Sequence, residues 1–165
     1  MNEIRQRAIG HFPSVLLTLL SIVQALAVEL LWAHVREADY LYELNLIAMI
    51  SWAQIIATFL GIVLIWVVYA GNTMRFRWVP ATSDSVIPFF IGLVEFMMVE
   101  SLGPTEIGPW FVLLGMAFAL MNWVAHSTMR RARRDSFNVY FFKNRKPAVL
   151  RDFFDELTAV GSLVL

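Results

Sequence analysis

The stretch LNLIAMISWAQIIATFLGIVLIWVVYA, residues 44–70, contains no acidic or basic side chain. A helix needs roughly 20 mostly apolar residues to cross the hydrocarbon core of a bilayer, so this stretch is long enough to span it. The whole chain agrees, since 59% of its 165 residues are hydrophobic and only 16% are charged, whereas a soluble domain has about 25% charged residues. The sequence therefore predicts an integral membrane protein.

Three further stretches are long and apolar enough to be spans, so the predicted fold is an all-α bundle of four transmembrane helices. The sequence GPTEIGP, residues 103–109, is rich in Gly and Pro, and it predicts a tight turn that makes the last two spans an antiparallel hairpin. The predicted organisation is an N-terminal segment over 1–12, a transmembrane domain over 13–129 with spans at 13–34, 44–70, 85–102 and 109–126, and a tail over 130–165. We expect Ser83 or Asp84 to cap the third helix and Pro88 to lie in its first turn.

Basic residues are concentrated on one side of this topology. The two outer loops hold only Arg36, and the other twelve Lys and Arg residues lie in the N-terminus, the second loop and the tail. Cytoplasmic segments carry such an excess of Lys and Arg. Both termini are therefore predicted to be cytoplasmic, and we expect the membrane to be a prokaryotic inner membrane.

Small and polar residues recur at steps of three or four along each predicted helix, which places them on one face. Faces of this kind let transmembrane helices approach closely in the bilayer. The residues expected to serve helix packing are Ser21, Ala25, Gly61, Gly92, Gly115 and Ala119.

Three glutamates, Glu29, Glu95 and Glu100, lie inside the predicted spans, where ionisable groups are costly. No Lys or Arg lies within a span, so each carboxyl is protonated and hydrogen-bonded, for example to Gln24 or Gln54, or it faces water, or it meets a cation. Glu95 and Glu100 point roughly 140° apart around a helix. We therefore expect Glu95 to face the bundle interior and Glu100 to face the hairpin partner, the headgroups or a second subunit of a homo-oligomer.

Intramembrane carboxylates and acidic outer loops favour a channel or transporter for a cation or a proton. The chain has no cysteine, and neither a metal nor another cofactor is expected, because the histidines are scattered over both sides of the membrane. No nucleophile–base pair is visible, so an enzyme is not expected, and nucleic acid is not an expected partner. The residues predicted to form the ion or proton path are Glu29, Glu95, Glu100, Gln54, Thr58 and Asn122.

The tail supports the alternative function, a membrane sensor or scaffold that recruits a soluble cytoplasmic partner in signalling or host defence. The sequence SFNVYFFKNRK, residues 136–146, is aromatic and β-branched, which predicts a short strand, and residues 147–160 predict an amphipathic helix too short to span the bilayer. The residues predicted to bind lipid or a partner are Arg130, Arg131, Arg133, Arg134, Phe153, Phe154 and Leu157.

Overall fold

The computed structural model describes residues 3–77, 82–144 and 146, and every regular element in that part of the chain is helical. The prediction of an all-α fold is therefore confirmed. Single 3₁₀ turns at Asp39–Tyr42, Thr82–Ser85 and Ser136–Asn138 connect the helices. The five helices are α1, Glu3–Glu37; α2, Leu46–Arg75; α3, Ile87–Glu100; α4, Ile107–Ala132; and α5, Val139–Phe142.

Three of these helices are long and apolar enough to cross a membrane: Gly10–Glu37 within α1, and the whole of α2 and of α4, with 28, 30 and 26 residues. At 1.5 Å per residue they are about 39–45 Å long, which exceeds the thickness of the hydrocarbon core. They suggest a multi-pass membrane protein. Each is longer than the span predicted from hydropathy, because the helix continues past its apolar stretch into polar residues.

Helix α3 is shorter than predicted. The sequence predicts a span over 85–102, whereas the helix has 14 residues and a length of about 21 Å. Val86 occupies its N-cap position and makes no side-chain cap hydrogen bond, so the expectation that Ser83 or Asp84 caps this helix is wrong. Pro88 does lie in the first turn, where its missing N–H has no cost. After α3, Gly103 adopts a φ of +141°, which favours glycine at the turn into α4.

The segment after α4 is helical rather than extended, so the predicted strand over 136–146 is wrong in its described part. The Asp135 side chain accepts a hydrogen bond from the Phe137 N–H and begins the 3₁₀ turn, which leads directly into α5. A strand needs a neighbouring strand to satisfy its backbone, and the described residues form none. The predicted helix over 147–160, with Phe153, Phe154 and Leu157, lies outside the described residues.

The bundle buries two apolar clusters, one towards each end. The loop-end cluster lies near the α1–α2 loop and includes Leu31, Ile55, Met98 and Trp110. The tail-end cluster lies near the ends of α2 and α4 and consists of Leu16, Leu20, Ile65, Tyr69, Ile87, Ile91 and Val124. Helix α1 packs on α2 and α3, and α4 packs mainly on α3. The buried polar residues of α1 and α3 lie between the two clusters.

Candidate functional site

Glu95 is buried between the two apolar clusters, with 2% of its surface exposed. On α3, Ile91 of the tail-end cluster precedes it and Met98 of the loop-end cluster follows it. The Gln24 Nε2 amide of α1 donates a hydrogen bond of 2.6 Å to Glu95 Oε1. Glu95 faces the interior as expected from the sequence, and Gln24, one of the partners considered for it, orients its carboxyl group.

Close contact between α1 and α3 makes this hydrogen bond possible. A Cβ atom built on Gly92 would overlap the side chain of Val23, the neighbour of Gln24. The absence of a side chain at Gly92 leaves room for the Val23 side chain to pack directly on α3, as small residues do at contacts between transmembrane helices. Gly92, one turn before Glu95, therefore sets the distance across which Gln24 reaches the carboxyl.

Helix α2 contributes a second set of buried polar side chains, Ser51, Gln54 and Thr58, with exposed fractions of 1%, 4% and 1%. Their spacing of three and four residues places them on one face of the helix. The Trp110 indole N–H of α4 donates to Thr58 Oγ1 at 3.0 Å, and this bond ties α4 to that face. We call Ser51, Gln54, Thr58, Gln24 and Glu95 the polar column.

Much of the hydrogen-bonding capacity of the polar column is unused within the described residues. The buried atoms without a partner there are Gln24 Oε1, Ser51 Oγ, Gln54 Oε1, Gln54 Nε2 and Glu95 Oε2. Buried polar side-chain atoms in folded proteins nearly always have a partner, either protein or ordered water. The polar column thus combines unused hydrogen-bond acceptors and donors with one ionisable group.

The other predicted path residues lie elsewhere. Glu29 is exposed on α1, and Glu100 is exposed at the end of α3. Asn122 is half-buried, and its amide donates to the Phe118 carbonyl one turn earlier in α4. Within one chain, therefore, the structure brings Gln54, Thr58 and Glu95 into the interior and leaves Glu29, Glu100 and Asn122 outside the polar column.

The predicted packing residues also divide into two groups. Gly92 lies at the α1–α3 contact, whereas a Cβ at Gly61 or Gly115 would meet no atom within 4 Å. Ala25 and Ala119 are exposed. Ser21 is exposed as well, and its Oγ accepts a hydrogen bond of 3.1 Å from the Trp66 indole N–H. Packing of these outward residues against another subunit stays a prediction.

A narrow crevice enters the bundle at the tail end, between the last turns of α2 and α4. Its polar lining comes from Tyr69, Asn72, Thr73 and Thr128. Tyr69 also belongs to the tail-end cluster, and Ile65 of the same cluster lies one turn before it, nearer the middle of α2. Apolar side chains therefore separate this crevice from the polar column.

An ion pair that the sequence did not reveal joins the tail to the segment before α3. The two terminal guanidinium nitrogens of Arg131, Nη1 and Nη2, donate to the two carboxylate oxygens of Asp84, at 2.9 and 2.7 Å. The Asp84 side chain is 4% exposed and that of Arg131 26% exposed. The predicted cap residue is thus the buried partner of a predicted lipid-binding arginine.

Asn138 makes a second connection between the same two segments, and it too went unnoticed in the sequence. Its side chain is fully buried, its Oδ1 accepts a hydrogen bond from the Arg77 N–H at 3.1 Å, and its Nδ2 donates to the Arg77 carbonyl. The same Nδ2 donates to the Ala132 carbonyl at 2.8 Å. Phe76 adds a stacked contact with Phe142. We call these contacts, with Arg131–Asp84, the tail clamp.

Among the described residues, no group of three or more His, Cys, Asp or Glu side chains is placed to hold a metal ion. Comparison with known protein families, with curated proteins and with solved structures finds no match to this chain.

Proposed function

We propose that the protein is a four-helix membrane protein with both termini in the cytoplasm, which conducts protons or a small cation through the polar column. The observation that supports this most directly is the carboxyl of Glu95, buried in the bundle with Gln24 on one oxygen and no described partner on the other. In this proposal α3 makes the third crossing despite its length, with local thinning of the bilayer around it.

The chemistry of the polar column suits protons and cations rather than anions. The column contains a carboxyl group and no basic side chain, and side-chain oxygens of this kind are what cation pathways use. Water needs about two to four polar partners at each position, and the unused oxygens and amide of Ser51, Gln54 and Glu95 supply them. A chain of such waters along α2 would bring protons to Glu95.

In this proposal the two apolar clusters close the path in the conformation described here. Leu20 and Ile65 lie between the tail-end crevice and Glu95, and the loop-end cluster covers the other side. Apolar constrictions gate channels by excluding water. The structure thus corresponds, in this proposal, to a closed state that opens when α1 or α2 moves and the tail-end cluster is hydrated.

We propose that the protein assembles as a homo-oligomer. Glu29 faces outward from α1 on the same stripe as Ser21 and Ala25, and a carboxyl facing lipid is costly. A second subunit would cover this carboxyl and pack against the small residues beside it. On α4, Gly115 and Ala119 form another outward stripe of small residues that a neighbouring subunit can approach closely.

The decisive experiment measures flux into liposomes that contain the purified protein, for protons and for K⁺ separately. Wild type is compared with Glu95→Gln and with Glu100→Gln, which removes a carboxyl from the exposed end of the same helix. The proposal requires flux in wild type and in Glu100→Gln and its loss in Glu95→Gln. Equal flux in all three proteins, or none in wild type, contradicts it.

The second candidate function is a sensor or scaffold that recruits a soluble partner through its tail. The tail clamp favours it, because Asn138 and Arg131 hold the start of the tail in a defined position against the segment before α3. A chain that ends at Lys146 keeps the clamp and lacks the predicted amphipathic helix. Loss of a co-purifying partner from this shortened chain supports the second function, and its retention counts against it.

A further inference from the structure

The arginines of the run RRARR, residues 130–134, have two different surroundings. Arg131 donates to both carboxylate oxygens of Asp84. The Arg133 guanidinium lies over the Phe142 ring, 4.5 Å from its centroid, and donates to the Lys146 carbonyl at 2.9 Å. The Arg130 and Arg134 side chains are exposed. Two of the four arginines therefore hold the tail in place, and the other two face outward.

In the described part of the chain, the two acidic side chains near this run, Asp84 and Asp135, are engaged within the protein. Asp84 pairs with Arg131, and Asp135 lies 3.9 Å from the Arg77 guanidinium and accepts the Phe137 N–H. The exposed surface of the segment carries basic and aromatic side chains, with Ser136 and Val139 between them. We call it the basic–aromatic surface, and its members are Arg130, Arg134, Phe137, Tyr140 and Lys143, all exposed.

The position of this surface along α4 matches the headgroup region of a bilayer. Helix α4 has 26 residues and a length of about 39 Å, which is more than the roughly 30 Å of the hydrocarbon core. Trp123 is 60% exposed, and exposed tryptophans of spanning helices lie at the edge of that core. Arg130 lies two turns, about 10 Å, beyond it. The basic–aromatic surface therefore begins where phosphate groups are found.

We infer that Arg130 and Arg134 bind the phosphate of an acidic phospholipid in the cytoplasmic leaflet, with Phe137 and Tyr140 in the interface beside it. Guanidinium groups bind phosphate oxygens bidentately. The Tyr140 ring suits the headgroup zone, because its body is apolar and its hydroxyl is polar, and Phe137 adds an apolar ring at the acyl boundary. Arg131 and Arg133 take no part, because their guanidinium groups are held by Asp84 and Phe142. The inference rests on the membrane orientation proposed above and not on conduction.

Its test uses the full-length protein in detergent micelles, titrated with phosphatidylglycerol or phosphatidylcholine that carries a fluorescent acyl chain. Energy transfer from the protein tryptophans reports binding. Wild type is expected to prefer phosphatidylglycerol by roughly 10-fold, R130A/R134A to lose that preference, and R130K/R134K to keep most of it. Arg36→Ala is the control. It removes an exposed arginine from the last turn of α1, at the other end of the bundle from Arg130 and Arg134, and should leave the preference unchanged.

Other outcomes overturn the inference. Equal binding of both lipids by wild type does so, and so does a preference that R130A/R134A retains. Wild type gives a readout that needs no variant: raised salt must weaken the preference, because exposed charges are screened. Glycerol phosphate added to the solution must fail to displace the lipid, since displacement at low concentration would indicate a site for a free phosphate. Conduction is measured separately in liposomes, so its failure leaves this result unaffected.

Discussion

Gln24 of α1 and Glu95 of α3 are joined by a hydrogen bond of 2.6 Å in the middle of the bundle. The Gln24 Oε1 atom and the second carboxyl oxygen of Glu95, Oε2, are both buried without a hydrogen-bond partner among the described residues. The pair is therefore both a packing contact between two helices and the point at which an ionisable group is held inside a predominantly apolar protein.

Replacing Gln24 with Leu should destabilise the protein by about 1–3 kcal/mol, because the Glu95 carboxyl loses its donor while it stays buried. Thermal unfolding in detergent, followed by circular dichroism, measures this. The double variant Gln24→Leu/Glu95→Leu removes both polar groups and should recover most of the lost stability. Additive losses in the double variant would show that the two side chains do not depend on each other.

Replacing Gly92 with Ala should cost about 1–3 kcal/mol, since the new Cβ overlaps Val23 and pushes α1 away from α3. Gly71→Ala on α2 is the matched control, since Gly71 has no part in the proposed subunit contacts. It adds the same methyl group to a helix where nothing lies within 4 Å, so its stability should stay within about 1 kcal/mol of wild type. Shortening the clashing side chain with Val23→Ala should restore stability to Gly92→Ala, and a failure to do so would point to another cause.

The Asp84–Arg131 pair predicts graded effects of substitution. Arg131→Ala leaves a buried carboxylate without its two hydrogen bonds and should cost about 2–3 kcal/mol. Arg131→Lys keeps the charge and loses the bidentate geometry, so its cost should be intermediate. Arg130→Ala, the exposed neighbour, should change the unfolding temperature little. Equal effects of Arg130→Ala and Arg131→Ala would mean that the ion pair contributes nothing specific.

Asn138→Ala should loosen the tail without unfolding the bundle. The substitution removes the hydrogen bonds to both backbone groups of Arg77 and to the Ala132 carbonyl. Hydrogen exchange at Arg77 and in the 3₁₀ turn Ser136–Asn138 should become at least roughly 10-fold faster, as expected when local bonds are lost, while α1 and α3 keep their protection. Asn144→Ala, a change at an exposed position of the same tail, should leave exchange at Arg77 as in wild type.

Hydropathy predicted the long helices well because each contains a stretch of about 20 apolar residues, which is a property of local sequence. Hydropathy overestimated the length of α3, because the apolar stretch extends past the helix at both ends. The inward direction of Glu95 also followed from local spacing, since Gly92 marks the side on which another helix approaches. The residues next to it in sequence gave no sign that Val23 is that neighbour.

Two features were beyond what the sequence could predict. On α1 the stripe of Ser21, Ala25 and Glu29 is exposed, and the interior face carries Gln24 and Leu20 instead. Small residues suit either a helix contact within the chain or one with a neighbour, so spacing alone does not distinguish them. Asp84 and Arg131 are 47 residues apart. Their pairing depends on how α3 and α4 end up side by side, and Asp84 near a helix start has an equally good local use as a cap.

The 71 residues that separate Gln24 from Glu95 have a consequence for biosynthesis. A ribosome adds about 5–20 residues per second, so Gln24 is made roughly 4–14 seconds before its partner. In the proposed membrane arrangement, α1 and α2 enter the bilayer during that interval without the carboxyl of α3, and the Gln24 amide has to be hydrated or bonded to a temporary neighbour. Arrival of Glu95 ends this exposure, so the docking of α3 against α1 is, in that proposed arrangement, the step at which the nascent chain commits to its final structure.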